Sequence, residues 1–502
     1  MTHQLIVREI SSLFGNSIED DSIVTGISYD SREIKPGDVF VCLLGEKTDG
    51  HDYINDAKIK GAKCILAQKK IETLLPVIYV ENTQIAIAKL ASYFYKEPSK
   101  KIKIIGITGT NGKTTTTHLI QHIFEKNNLK TAVIGTLGTR ENTGSDYYDT
   151  KHTTPQASDL QKQLASLVDK GFSHLAMEVS SHALSLYRVE ECSFASSVLT
   201  NVTQDHLDFH LTMGEYAKAK KRLFEMLNTS SRQNKFSVIN KDDAYYEDFA
   251  NVVNKKEVKL LSYGVKNRSD FQAKEISFLP DGLSFVLSSP LGEFKIKSKL
   301  NGMFNVYNLL AAITVSFAEG IDIDKIVFAV SDAKEVPGRF QIIRTESSPL
   351  CIVDYAHTPD GLENILKAAR LMTSQNGKLI CVFGCGGDRD PTKRPKMGKI
   401  AEDLSDMVVV TSDNPRSEDP KQIISDILSG IKNTSDIVVE VDRKIAIQTA
   451  IKKANKDDVI VIAGKGHEDY QILKDKTIHF DDREEVKKAL EQKQIDKHSI
   501  RK

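Results

Sequence analysis

The sequence predicts an α/β protein of three domains, on three observations. Short apolar runs alternate with helix-length segments along most of the chain, the pattern of parallel strands joined by crossover helices. The alternation forms two series, from residue 102 to about 330 and from Leu350 to Ile462, behind a smaller mixed segment. A glycine-rich turn, Thr108-Gly-Thr-Asn-Gly-Lys-Thr-Thr115, separates strand-like from helix-like sequence in the first series. A length of 502 residues accommodates two to four domains. The expected architecture is a central P-loop domain on a parallel sheet (99–336). A small N-terminal α/β domain (1–98) and a C-terminal Rossmann-like α/β domain (337–502) flank it.

In chain order, Ser28-Tyr-Asp-Ser-Arg32 and Pro36 to Leu44 read as a turn feeding a buried strand. Ala57 to Ala62 reads as helix, Cys64 to Ala67 as strand, and Pro98-Ser-Lys-Lys101 as a linker. In the central series Lys101 to Ile107, Phe172 to Met177, Ser197 to Thr200 and Phe236 to Ile239 read as strands, and Thr114 to Glu125 as helix. Between Val258 and Leu300 the period changes to two, punctuated by Pro280-Asp-Gly282 and Pro290-Leu-Gly292, which predicts an antiparallel patch on the same domain. Asn305 to Phe317 is helix-like, and Val336-Pro-Gly-Arg339 marks the next boundary. The C-terminal strands are Cys351 to Asp354, Lys378 to Phe383, Met407 to Thr411, Ile437 to Val441 and Val459 to Ala463, and Glu484 to Lys502 is a charged helix.

Composition narrows the classes of function. Lysine plus arginine equals aspartate plus glutamate, 68 each, so no global charge calls for nucleic acid or an anionic membrane. Met1 to Ser12 lacks the apolar core of a secretion signal, and no apolar run reaches the length of a membrane span. Of six cysteines only Cys381 and Cys385 lie close, with no second pair to complete a zinc site, so buried thiols in a reducing cytoplasm are expected.

The glycine-rich turn has the layout of a phosphate cradle, in which backbone N–H groups and a helix N-terminus face an anion. Lys113 would place a charge on the outer phosphates, and the Thr114 hydroxyl would be a ligand for Mg²⁺. The strict pattern wants glycine at 107, where this chain has isoleucine, and a tight turn without a ligand remains the alternative. Glu178 follows an apolar strand, where a Mg²⁺-binding carboxylate commonly sits, and Asn201-Val-Thr-Gln-Asp-His-Leu-Asp208 puts Asp205, His206 and Asp208 near the same sheet edge. Each cluster alone is also compatible with a capping network. Polar residues follow the C-terminal strands too: Asp354-Tyr-Ala-His357, Gly386-Gly-Asp-Arg389, Asp413-Asn-Pro-Arg416 and Gly464-Lys-Gly-His-Glu468.

Taken in order, G-T-N-G-K-T-T, H-T-T-P (152–155), E-V-S-S-H-A-L (178–184), D-H-L-D-F-H (205–210), E-Y-A-K-A-K (215–220), D-Y-A-H-T-P (354–359), G-C-G-G-D-R-D (384–390) and D-N-P-R (413–416) resemble the motifs of the Mur ligases over almost the whole chain. Within that family the likeness is to the branch that adds the third residue of the peptide. The resemblance implies an ATP-dependent amide ligase, with a central P-loop ATPase domain. It would join meso-2,6-diaminopimelate to the D-Glu of UDP-MurNAc-L-Ala-D-Glu through an acyl phosphate, in cytoplasmic synthesis of bacterial peptidoglycan precursor. A monomer is expected, with small-molecule substrates, no nucleic acid and no membrane insertion.

The resemblance also implies roles for individual residues. Gly109, Thr110, Asn111, Gly112, Lys113, Thr114, Thr115, Asn308, Arg339 and Asp354 would meet ATP, with His357 nearby. Thr114, Glu178, His206 and Lys220 would serve Mg²⁺, Lys220 as a carbamate formed with CO₂. On residue type alone Lys220 reads as a solvated helix lysine beside Lys218 and Lys221. The uridine end would fall to Tyr29, Ser31 and the Glu46-Lys-Thr48 loop, although Ser31 is equally a turn-former ahead of Pro36-Gly37. Thr153, Thr154, Ser180 and Arg188 would hold the muramoyl-dipeptide; some family members carry glutamine where this chain has Leu186. Arg389, Asp413, Asn414, Pro415, Arg416, Gly464 and Glu468 would select the amino acid. Arg416 suits the distal carboxylate of diaminopimelate, and Asp413 and Glu468 its ammonium. L-Lysine or L-ornithine as substrate, another ligase such as a folylpolyglutamate synthase, and a P-loop switch protein are the competing readings.

Overall fold

The computed structural model describes residues 3–45, 48–148, 150–279, 282–345 and 348–500, with side chains up to 496. Glu46 and Lys47, of the loop expected near the nucleotide sugar, and Pro280 and Asp281, of one expected turn, lie outside the described residues.

The central sheet has ten strands, in spatial order Gly292–Ser298, Gly282–Ser289, Phe271–Leu279, Val258–Gly264, Lys235–Asn240, Phe194–Leu199, Lys103–Thr108, His174–Glu178, Thr131–Gly135 and Gly138–Arg140. From Val258–Gly264 to Thr131–Gly135 the pairing is parallel. Such strands are buried on both faces, which is why they read as continuous apolar runs. Successive residues serve opposite faces. Ile105 and Ile107 pack with the Lys113–Lys126 and Met303–Ala318 helices, while Ile104 packs with Leu160, Leu164, Leu223 and Leu227 of the helices opposite. Of the period-two stretch, Phe271–Leu279, Gly282–Ser289 and Gly292–Ser298 form an antiparallel ribbon that extends this same sheet. Val258–Gly264, expected in that patch, instead pairs parallel with both neighbours and belongs to the parallel series.

Four parallel strands, Gly26–Ser28, Asp38–Val41, Cys64–Ala67 and Val77–Tyr79, make the N-terminal sheet. The C-terminal sheet has six strands in the order Gln341–Ile343, Leu350–Asp354, Val459–Ala463, Leu379–Phe383, Met407–Val410 and Ile437–Val439, all parallel except the first pair. The three-domain α/β class expected from the sequence is the fold observed.

Two local expectations need correction. The helix read at 57–62 is Ile54–Ile59, shifted toward the N-terminus by the preceding turn, with Ala62 buried in the approach to the next strand. Pro98–Lys100 is a 3₁₀ turn rather than an open linker. Pro98 and Ser99 are buried, and Arg232 binds the main-chain oxygens of Ser99 and Ile102. The antiparallel strand Gln341–Ile343 and the Tyr470–Ile472/Thr477–His479 hairpin were too short to give a periodic signal.

One buried ion pair fixes the last helix, Asp482–Ile500. Arg443 and Asp482 are both fully buried and joined by two bonds of 2.7 Å, while Arg443 also donates to the carbonyls of Ala463 (3.0 Å) and Ser412 (3.3 Å). Arg443→Met would leave Asp482 buried without its partner, a loss of about 3–5 kcal/mol. A urea titration of the C-terminal transition checks this.

Candidate active site

The Lys103–Thr108 strand is flanked by His174–Glu178 on one side and Phe194–Leu199 on the other, the kind of divergence at which open α/β sheets leave a crevice beyond the strand C-termini. The glycine-rich turn fills that position. Thr110 N donates to Asn201 O at 2.8 Å, Asn111 N to Asn201 Oδ1 at 2.9 Å, and Thr200 Oγ1 to Asn111 O at 2.7 Å. These bonds need the backbone close to its neighbours. Gly109 (φ +150°) lies where a Cβ would overlap Thr200 Oγ1, and Gly112 (φ +86°) where one would overlap Asn308 Oδ1. The first helical bond runs from Thr116 N to Gly112 O at 2.9 Å, so the amides of Lys113, Thr114 and Thr115 precede the helical ladder.

Lys113 Nζ folds back on the turn and donates to Gly109 O and Thr110 O, both at 2.9 Å. Lys220 Nζ donates to the same Gly109 carbonyl, also at 2.9 Å. Lys220 is buried (1 % exposed), and its amine sits 4.2 Å from the centroid of the Tyr216 ring. Burial first, then the charge of Lys113, hold this amine well below the ordinary lysine range, with Asp205 opposing. The solvated-lysine alternative is therefore excluded.

Glu178 is also fully buried, and its carboxylate accepts from Thr136 N and Thr136 Oγ1, both at 2.9 Å. Asp205 is the hub of the next strand end: His206 Nε2 lies 3.3 Å away, His357 Nε2 3.6 Å and Lys393 Nζ 3.8 Å. Burial alone would raise its carboxyl, but His206, His357 and Lys393 hold it well below the usual carboxylate range. His206 has a left-handed backbone (φ 54°). Burial outweighs the attraction of Asp205 and lowers its imidazole well below the ordinary histidine range.

The C-terminal domain closes this region. Arg339 Nη2 donates to Thr114 Oγ1 at 3.0 Å with its guanidinium 4.5 Å from the Tyr355 ring, and Asn111 Nδ2 donates to Asp360 Oδ2 at 2.7 Å. Asp354, its carboxyl raised by burial against the pull of Arg339, accepts from Phe340 N (2.6 Å) and Ala356 N (2.7 Å). Between the domains lies a cavity of about 390 Å³. Of the expected residues, Thr110 to Thr115, Asn308, Arg339, Asp354, His357, Glu178, His206, Thr153 and Ser180 line it. Asp208 is exposed on the short Leu207–His210 helix, one turn beyond the strand end, and does not reach it. Asp242, Tyr307, Asp360 and Asn364 line the cavity without having been singled out, although Asn240-Lys-Asp-Asp243 follows a strand end in the same way as the clusters that were.

Among the described residues no group of three or more His, Cys, Asp or Glu side chains forms a metal cage. Mg²⁺ does not require one, since it keeps several waters and takes one or two protein oxygens together with substrate phosphates. The Thr114 hydroxyl and Glu178 carboxylate are hard oxygen donors on one cavity wall, and the former already faces the Arg339 cation. The donor set fits the ion.

The residues expected to hold the nucleotide sugar and dipeptide lie toward the N-terminal domain. Tyr29 OH donates to Asp159 Oδ2 at 2.7 Å across the domain boundary, and Ser31 is buried. Thr154, fully buried, donates to Glu178 O at 2.9 Å and receives Arg188 Nη1 on its own carbonyl at 3.4 Å. Ser180 caps the Ser181–Ser185 helix, which ends on Leu186.

Beyond the C-terminal end of the Met407–Val410 strand, Asp413, Asn414 and Pro415 are buried. Arg416 (φ 51°) donates to Gly387 O at 2.8 Å, and Ile472 N and Gln471 Nε2 buttress the turn through Asn414 Oδ1 (3.0 Å) and Asp413 O (2.7 Å). Gly464 lies where a Cβ would press on Asp413 Oδ2. Asn414 Nδ2 donates to Glu468 Oε2 at 2.8 Å. Arg389 is exposed and donates to the carbonyl of Asp388, and its side chain borders Gly386 as Arg416 does. Lys465, at the centre of the cluster, was not singled out from the sequence.

A P-loop α/β protein with a nucleotide-sized cavity between domains is the class that this geometry defines. Family models describe the segments as Mur ligase family, catalytic domain (23–95), Mur ligase middle domain (107–316), and Mur ligase, glutamate ligase domain (338–466). A diaminopimelate ligase of Syntrophomonas wolfei, named for UDP-N-acetylmuramoyl-L-alanyl-D-glutamate, is 46% identical over 474 residues (94% of this chain, 95% of the relative). The enzyme of that name from Clostridium botulinum is 45% identical over 500 residues (98% and 100%). A solved structure of a ligase of this name superposes with a TM-score of 0.68 at 33% identity, covering 98% of this chain and all of the other. The chain belongs to the Mur ligase family, ATP-dependent enzymes that form amide bonds.

Gly135 gives a direct handle on the site, because a Cβ there would collide with the Glu178 carboxylate. Gly135→Ala is expected to lower kcat/KM by about 100-fold, the order of loss that a displacement near 1 Å produces. Steady-state kinetics beside circular dichroism checks this; wild-type kinetics in a folded variant contradicts it.

Proposed function

We propose that this chain adds meso-2,6-diaminopimelate to the D-Glu of UDP-MurNAc-L-Ala-D-Glu at the expense of ATP, in peptidoglycan precursor synthesis in the bacterial cytoplasm, upstream of wall growth and cell division. The observation that carries the substrate choice is the Arg416 turn standing beside the carboxylates Asp413 and Glu468. Meso-diaminopimelate ends in an ammonium and a carboxylate, and this surface offers a partner for each. Residues 1–98 hold the uridine end, 99–336 the ATP, and 337–502 the amino acid. Each subsite comes from one chain, so a monomer suffices. Among the described residues no helix is long and apolar enough to cross a membrane.

A carboxylate is a poor electrophile, so it first attacks the γ-phosphorus of ATP and releases ADP, becoming an acyl phosphate. The amine then adds to the acyl carbon, loses its proton, and expels phosphate. This chemistry demands the positioning and neutralisation of crowded anions. Lys113 swings from the turn carbonyls to the outer phosphates, the amides of Lys113 to Thr115 bind phosphate oxygens, and Arg339 and Asn308 close on the nucleotide. Thr114 and Glu178 would hold one Mg²⁺, and His206 and Lys220 would stand by a second. The metal would supply neutralisation of the phosphate charge.

Lys220 fits this role only in modified form. A neutral buried amine is the nucleophilic form of lysine: it attacks the carbon of CO₂, forms an N–C bond and gives up a proton to leave a carbamate anion. That product places an anionic oxygen ligand beside Lys113 where a neutral amine stood.

Two measurements test the reading. Phosphate release should require both the UDP-dipeptide and the amino acid; basal hydrolysis indifferent to both would favour a switch protein. Arg416→Ala should erode the preference for diaminopimelate over lysine by roughly 1–3 kcal/mol, the worth of a charged group left without its partner. An unchanged ratio of kcat/KM values refutes the assignment of Arg416.

A further inference from the structure

The amino-acid subsite contains a cation that the mechanism does not use. The Lys465 side chain is completely buried (0 % exposed), with Nζ 3.2 Å from Glu468 Oε2 and 3.8 Å from Asp413 Oδ1. It donates to Asn414 Oδ1 at 3.2 Å, while Asn414 donates to the same Glu468 oxygen. Asp413 Oδ1 is buried and has no hydrogen-bond partner. The other buried cation nearby, Arg443, is taken up by Asp482. Arg416, beyond Asn414, rests on main-chain carbonyls of Gly387 and Asn414.

The charges therefore cancel: Asp413 and Glu468 against Lys465 and Arg416. A site this enclosed pays heavily for any net charge brought into it. We propose that Lys465 is a specificity-determining residue, which neutralises one charge of the Asp413–Glu468 pair and so tunes the subsite to a side-chain end carrying both an ammonium and a carboxylate. A zwitterionic end leaves the balance at zero. An end with ammonium alone, as in lysine, leaves a buried excess of one positive charge. Without Lys465 the surplus carboxylate would welcome that ammonium, and the ordering of substrates would move toward lysine. Arg416 recognises the carboxylate, whereas Lys465 acts against the amino acid that lacks it.

This inference rests on the ligase reading, and the experiment separates the two. The full-length protein and its Lys465→Met variant are compared in phosphate release with saturating ATP and UDP-dipeptide, and kcat/KM is taken for meso-diaminopimelate and for L-lysine. Where turnover is too slow, the calorimetric Kd of each amino acid replaces it. The diaminopimelate-to-lysine ratio should fall by at least about tenfold, as expected for one charge in a partly desolvated site. The change should appear in the amino-acid KM, with the KM for ATP held at its wild-type value. Lys465→Gln removes the charge while keeping a polar side chain that can still meet Asn414 Oδ1 and Glu468 Oε2, and should lower the ratio as well. It carries the test if Lys465→Met does not fold. An unchanged or raised ratio in a folded variant overturns the proposal. A wild-type protein whose ATP turnover ignores the amino acid overturns the ligase reading instead.

Discussion

One carbonyl oxygen, that of Gly109, receives the amines of both Lys113 and Lys220. Two ammonium groups on one acceptor inside a buried site repel each other strongly, so the pair is stable only if one is neutral. The surroundings decide which. Burial lowers both amines, but Lys113 lines the cavity, whereas Lys220 is walled in by Tyr216 and the glycine turn and is held well below the ordinary lysine range. The neutral amine belongs to Lys220. The turn thus lines the cavity and also walls in Lys220, which on the proposed function makes it both a nucleotide cradle and the shelter of a reactive lysine.

The same turn joins the domains. Asn111 bonds to Asp360, Thr114 to Arg339, and the neighbouring Asp205 faces His357 and Lys393. Gln204 adds bonds to Asp390 (3.1 Å), Thr392 (3.1 Å) and Lys396 (2.5 Å). Contacts of the C-terminal domain therefore complete one wall of the cavity. In the proposed reaction a reactive acyl phosphate would gain from such enclosure, because water is excluded.

Much of this was legible in the sequence, because strands buried on two faces are continuous apolar runs and their C-terminal ends collect the polar residues. What escaped was the direction of side chains. Asp208 follows a strand end in sequence but is exposed and does not line the cavity. Lys220 carried a signal that its charged neighbours masked: Tyr216, Lys220, Leu223 and Leu227 share one helical stripe, and the other three are core residues. Lys465 lay unnoticed between Gly464 and Glu468, since a lysine after a strand is ordinarily a solvated one. Only the fold shows that Asp413 and Asn414, fifty residues earlier, enclose it.

The state of Lys220 is the most direct test of the account. Protein equilibrated with isotopically labelled bicarbonate and examined by carbon NMR should show a bound carbamate carbon, lost in Lys220→Gln and retained in Lys218→Gln. No carbamate signal at saturating bicarbonate, from protein that turns over ATP with both co-substrates, would contradict the claim that the Gly109 turn holds Lys220 as a reactive neutral amine.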